Sequence, residues 1–155
     1  DIDGDGFVEI PSMIPLPGYE SLAQSTQLCA VQWYTVKGEK FVREHYSYYS
    51  SKYKFVLHFP DRWQNVVTAV PNFQNDEIIF IRYNSYTGLE VSESTELMRI
   101  KTINKNDSEA VKNIGDAIIL AENEEILYCC ITADPAKTGQ LALTESELCD
   151  GFVVF

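Results

Sequence analysis

Residues 53–63 read YKFVLHFPDRW, and the fold turns on them. Tyr53, Phe55, Leu57 and Phe59 alternate with Lys54, Val56 and His58. That is the period of a strand with one apolar face. A one-residue slip would bury Lys54 and expose two phenylalanines, so the pattern itself sets the register. Pro60 ends the strand, and its fixed φ suits the start of a helical turn over PDRW. The proline re-aims the chain, and Trp63 is expected to pack under the turn that follows.

Strand patterns flank this stretch on both sides. Residues 27–37 and 40–49 are strand-like. In the second, Val42, Glu44, Tyr46 and Tyr48 are expected on one face and Phe41, Arg43 and His45 on the other. Downstream, residues 65–70 and 77–83 form a hairpin across PNFQND, and residues 97–103 read as a further strand. Residues 116–121 and 125–133 form a second hairpin across ENE. NDSE at 106–109 and TESE at 144–147 are capping-box patterns. Gly115 is a stop for the first helix. Leu148, Phe152 and Phe155 fall at i, i+4 and i+7, which favours a closing helix. Gly151, Val153 and Val154 oppose it. Three prolines between Pro11 and Pro17 read as an extended linker or as an edge segment packed on the domain.

Short hairpin-linked strands with few helices predict an α+β fold: an antiparallel sheet of about seven strands with a short internal helix and a C-terminal helix. The expected organisation is a loop remnant and Pro-rich linker over residues 1–18, then a single α+β domain over 19–155. The chain has 155 residues, 45% of them apolar and 12% aromatic. That supplies a core for one domain and argues against wholesale disorder. The net charge of -11 repels phosphate backbones and anionic membrane surfaces, which disfavours nucleic acid and anionic lipid as partners. No apolar run approaches the roughly 20 residues of a membrane span.

The first ten residues, DIDGDGFVEI, alternate aspartate with glycine. Asp1, Asp3 and Asp5 supply carboxylates at spacing two, Phe7 offers its carbonyl, and Glu9 closes a shell of hard oxygens suited to calcium. Val8 and Ile10 would then point inward as an anchor. Ser12 stands where an EF-hand needs Glu, and Pro11 opposes its exiting helix, so this is not an EF-hand. The stretch resembles the DxDGDGxxD/E loops of FG-GAP and VCBS repeats, with Glu9 where Asp is common. That resemblance implies an upstream repeat domain, a β-propeller stabilised by calcium, and an extracellular setting. A chain that begins inside such a motif without Met is expected to be either a mature fragment or a piece cut for expression.

Phe55, Leu57, Phe59, Pro60 and Trp63 resemble the strand-to-helix segment of PsbP-like α/β/α sandwich domains. The acidic loop, EIP, PLPGY and the domain after them also resemble surface lipoproteins of Gram-positive gut anaerobes. This second resemblance implies a secreted or lipid-anchored, cell-surface protein and transfers no catalytic residue.

Few residues suggest chemistry. His45 and His58 approach each other if their strands pair, but nothing in the spacing turns Glu44 or Asp61 in to complete a metal site. Cys29, Cys129, Cys130 and Cys149 show no CxxC spacing, and adjacent strand cysteines point to opposite faces, so mostly buried free thiols are expected. Glu124–Glu125 and Glu145–Glu147 sit at a turn and a helix start, where solvated charge explains them. Tyr46, Tyr48, Tyr49 and Tyr53 crowd one hairpin, and Tyr83 and Tyr86 another. They read either as core edges or, for Tyr46, Tyr48, Tyr49, Tyr83 and Tyr86, as a platform on which sugar rings stack. The function expected is a non-catalytic accessory or binding domain of a larger exported protein, contacting a polysaccharide or surface protein. The alternatives are a carbohydrate-binding module built on those tyrosines and a small hydrolase with a cryptic site.

Overall fold

The computed structural model describes residues 8–155. Asp1, Asp3, Asp5 and Phe7 of the candidate calcium loop lie outside that range. Ten strands occur among the described residues. They are β1 (Ile10–Pro15), β2 (Cys29–Lys37), β3 (Lys40–Ser50), β4 (Phe55–His58), β5 (Val67–Asn72), β6 (Glu77–Arg82), β7 (Thr95–Asn104), β8 (Ile118–Glu122), β9 (Ile126–Thr132) and β10 (Phe152–Val154). Three short helices join them: α1 (Ser108–Lys112), α2 (Pro135–Thr138) and α3 (Glu145–Gly151).

The strands form two five-stranded sheets, β1-β2-β3-β4-β10 and β5-β6-β7-β9-β8. Every pairing is antiparallel. The molecule is therefore a β-sandwich, and the α+β expectation is wrong, together with the helical layering that a PsbP-like fold implies. The physical reason lies in helix length. A helix of five or seven residues buries too little to cover a sheet. Each apolar sheet face is covered by the other sheet instead.

The stretch at 53–63 is where the chain changes sheet. Tyr53, Phe55, Leu57 and Phe59 are all buried in the main core. Asp61–Trp63 forms a single 3-10 turn. Trp63 is fully buried beneath it, packed edge-on against Phe59 at 5.1 Å and tilted against Phe80 of the second sheet at 6.0 Å. Its indole N–H would be costly to bury unpaired. It donates to the main-chain oxygen of Leu141 at 2.8 Å. Tyr128 of β9 ties the sheets together elsewhere, donating through its hydroxyl to the carbonyl of Tyr53 at 3.0 Å.

The two ends of the first sheet differ from simple pattern reading. Of the two readings of the Pro-rich stretch, the structure adopts the edge strand. β1 pairs with β2, and its prolines sit on the sheet edge, where a missing N–H costs least. Val8 and Ile10 are exposed rather than turned inward. At the other edge the expected closing helix stops at Gly151, and Phe152–Val154 instead pairs with β4. The Thr144–Glu147 capping box starts this helix as expected. The β-branched pair after Gly151 then suits the open edge of β4 better than another helical turn. Phe152 is buried by either course, so the i, i+4 spacing does not distinguish them.

A bulge corrects the face assignment in β3. His45 lies opposite Trp33 and Arg43 opposite Tyr34, which leaves Glu44 as the extra residue. Tyr46 and Tyr48 enter the core. Glu44 does not share their setting: its carboxylate accepts from the Thr35 hydroxyl at 2.8 Å and pairs with the Lys37 ammonium at 2.6 Å.

Candidate functional site

The tyrosines separate into different environments. Tyr46 and Tyr48 are core residues, so neither belongs to an exposed platform. Tyr49 is partly exposed and stacks on Phe155 at 5.0 Å, on the first sheet's side of the molecule. Tyr83 is half-buried, and Tyr86 is 97% exposed. The last two belong to a loop at one end of the second sheet.

That loop is tightly built. The Tyr83 N–H donates to the carbonyl of Val66 at 2.8 Å, extending the β5–β6 ladder by one bond. Asn84 then organises a closed turn. Its side-chain oxygen accepts from the Tyr86 N–H at 2.9 Å, and its carbonyl accepts from the Gly88 N–H at 2.8 Å. An Asn side chain mimics a backbone turn in this way. Gly88, at φ 59°, supplies the left-handed residue that closes it. Tyr86 is thus held at the tip of a hydrogen-bonded loop with its ring in water. Beneath, Gly18 packs so closely on Tyr83 that a Cβ there would lie 2.8 Å from the ring.

Beside this loop three depressions adjoin. The first, of about 570 Å³, is lined by Arg82, Tyr83, Asn84, Glu93, Ser94 and Thr95. The second, of about 640 Å³, shares Ser94 and Thr95 and adds Glu96, Asp134 and Lys137. The third, of about 480 Å³, shares Arg82 and Lys137 with these two and adds Arg62 and Gln140. Shared walls make them one open rim of mixed polar and apolar lining, formed by the 3-10 turn at Arg62, the end of β6, the start of β7, the end of β9 and α2.

Half of the charges along the rim are committed. Glu96 is gripped by Arg99 at 2.6 and 2.8 Å. Asp134 caps α2, accepting from the Ala136 N–H at 2.9 Å. Arg62 holds Glu147 through two bonds of 2.6 and 2.7 Å and also donates to the carbonyl of Ala142. The Arg62 guanidinium, with the Thr144 N–H, draws the Glu147 carboxyl down to about 2. Among the described residues, Glu93, Arg82 and Lys137 have no ion-pair partner. Sequence reading singled out Tyr83 and Tyr86 here but not Arg82, Asn84, Glu93 or Lys137. The available signal is that Arg82 is the lone charge closing the apolar run IIFI and stands in a strongly acidic chain.

Other candidates sit apart from this rim. His45 and His58 do come together, with ring centroids 4.9 Å apart. Among the described residues, however, no three His, Cys, Asp or Glu side chains converge on a point where a metal ion would sit. Glu9, the described member of the calcium set, is buried just before β1. All four cysteines are free. Burial pushes the Cys130 thiol up to about 12 and raises Cys129 and Cys29 as well, the reverse of what a nucleophile needs. Among the described residues, no helix is long and apolar enough to cross a membrane. Comparison with family models, with curated proteins and with solved structures returns no match for this chain.

Proposed function

We propose that this chain is a non-catalytic binding domain of a larger exported, surface-held protein, and that the open rim beside Tyr83 and Tyr86 takes a carbohydrate. The observation that carries the reading is Tyr86: an aromatic ring left 97% exposed at the tip of a hydrogen-bonded loop whose Tyr83 and Asn84 line the first depression. Holding such a ring in water gives up apolar burial. A sugar face recovers it, while Asn84, Ser94, Thr95 and Glu93 offer donors and acceptors to hydroxyl groups. An open rim suits an extended, hydrated polymer better than a small molecule, which favours enclosure.

Binding fits the rim better than hydrolysis does. Glycoside cleavage generally uses two carboxylates with separate roles. Of the three along the rim, Glu96 and Asp134 are tied to structural partners. In this reading Asp1, Asp3, Asp5, Glu9 and the Phe7 carbonyl hold calcium in the intact protein, next to an upstream repeat domain of the same chain.

Affinity electrophoresis through gels containing soluble glycans, neutral and acidic, tests the reading. At least one glycan is expected to retard the protein, and Tyr86→Ala is expected to abolish the retardation while Tyr49→Ala leaves it intact. A chain that migrates freely through every glycan, or a Tyr86→Ala variant retarded like the parent, contradicts it.

A further inference from the structure

The third depression departs from the character of the chain. Acidic groups outnumber basic ones by 23 to 12. Many of the basic groups are used to neutralise neighbours: Lys37 with Glu44, Arg43 with Asp61, Lys52 with Asp76, Lys105 with Glu122, and Arg62 and Arg99 as described above. Yet Arg82 and Lys137 line one depression without an acid to pair with, and Arg62 forms its third cationic wall. No carboxylate lines that depression. Two cations without an ion-pair partner among the described residues line one concavity, and an anion placed there interacts favourably with both.

We infer that this depression is an anion subsite, and that the glycan bound along the rim carries carboxylate groups, as a uronate-containing polysaccharide does. The inference rests on the reading of the rim as a carbohydrate surface and gives it a ligand class. Arg82 presents a planar fork that matches a carboxylate with two parallel hydrogen bonds. Lys137 adds a compact charge from the α2 side, and Gln140 offers an amide to a neighbouring hydroxyl. Arg62 contributes field but is geometrically occupied by Glu147. Arg82 also lines the first depression, so a sugar whose acid group sits here continues directly towards Tyr83 and Asn84. Lys137 likewise leads into the second. The remaining rim charges, Glu93, Glu96 and Asp134, limit the density of negative charge that the surface accepts. A polymer with one carboxylate per sugar fits two free cations, whereas a densely sulfated one meets acids on either side.

The test compares the parent chain with the double variant Arg82→Gln, Lys137→Gln and with the control Lys40→Gln, an exposed cation that lines none of the three depressions. The probes are polygalacturonate, dextran sulfate and neutral hydroxyethyl cellulose, run as affinity electrophoresis and calorimetry at low and moderate salt. Polygalacturonate is expected to bind the parent and the Lys40 variant alike, and to lose about tenfold or more in affinity for the double variant, the scale of at least one charge-assisted bond. Unchanged polygalacturonate affinity in the double variant overturns the subsite. So does an equal loss in the Lys40 variant, which would mark diffuse electrostatics. Stronger binding of dextran sulfate than of polygalacturonate overturns the carboxylate assignment. Retention of the neutral glycan without polygalacturonate defeats this inference and leaves the carbohydrate reading standing, while failure of all three probes defeats both.

Discussion

Arg62 and Glu147 meet across 85 residues of sequence, with Nη1 to Oε1 at 2.6 Å and Nη2 to Oε2 at 2.7 Å. The pair joins the 3-10 turn that carries the chain between sheets to the first turn of α3. Glu147 also accepts from the Thr144 N–H at 2.9 Å, so one carboxylate closes the capping box and clamps the crossover.

A pH dependence follows from the depressed carboxyl. Its folded value lies near 2 against 4.5 for the free group. Its stabilising contribution is therefore present above the unfolded value and lost as pH falls from about 5 towards 2. The full shift corresponds to about 3 kcal/mol. Both side chains are about one-third exposed, and screening by water reduces this to about 1 kcal/mol. Glu147→Gln should lose about that amount at pH 7, and the two proteins should converge in urea melts as pH approaches 2. A constant gap across that range would show that the charge is not what stabilises the contact.

Phe55 and Lys54, the latter in the turn just before β4 at φ 59°, test which side of this segment is core. Phe55 is fully buried against Phe152, Tyr48 and Tyr128. Phe55→Ala should cost about 3–5 kcal/mol. Lys54 is exposed, and Lys54→Ala should cost under about 0.5 kcal/mol. Paired urea melts decide the matter, and the greater damage from Lys54→Ala would invert the face assignment.

Gly18 supports the rim from below. Its φ of 90° is strained for any side chain, and a Cβ would meet Tyr83 at 2.8 Å and Leu89 at 2.9 Å. Gly18→Ala should cost about 1–3 kcal/mol and weaken glycan retardation as Tyr83 is displaced. A melting temperature and mobility equal to the parent's would contradict this packing.

The thiols should react in an order set by burial. Cys149 is exposed, Cys29 half-buried, and Cys129 and Cys130 buried. Titration with a disulfide reagent in native buffer should label Cys149 fastest and leave Cys129 and Cys130 unmodified. All four should appear in denaturant without reductant. A total of two or fewer would mean that a bridge exists.

Much of this architecture is legible in local patterns, and what is missed has a common cause. The alternation around Phe55 marks one face of β4 as core, and that holds. Alternation does not say which strand lies on either side, so a two-layer sandwich and a single sheet under helices look alike. Both edges of the first sheet show the difficulty. β1 is masked by its prolines, and β10 is three residues long and follows a real helix. The tyrosines fail as a group because composition treats them alike. The core takes Tyr46 and Tyr48, and a hydrogen-bonded loop holds Tyr86 in water. Arg82 and Lys137 are far apart in the chain, and only the approach of α2 to the end of β6 brings them to one wall.

A titration of isotope-labelled protein with uronate oligosaccharides, followed by amide chemical shifts, tests the account most directly. The predicted result is a single cluster of shifted amides at residues 82–86, 93–96 and 134–141, with Tyr49, Phe155 and the β2–β3 turn unmoved. Shifts centred on Tyr49 and Phe155 would contradict the assignment of the rim as the binding surface, and no saturable shifts at all would contradict its acidic ligand.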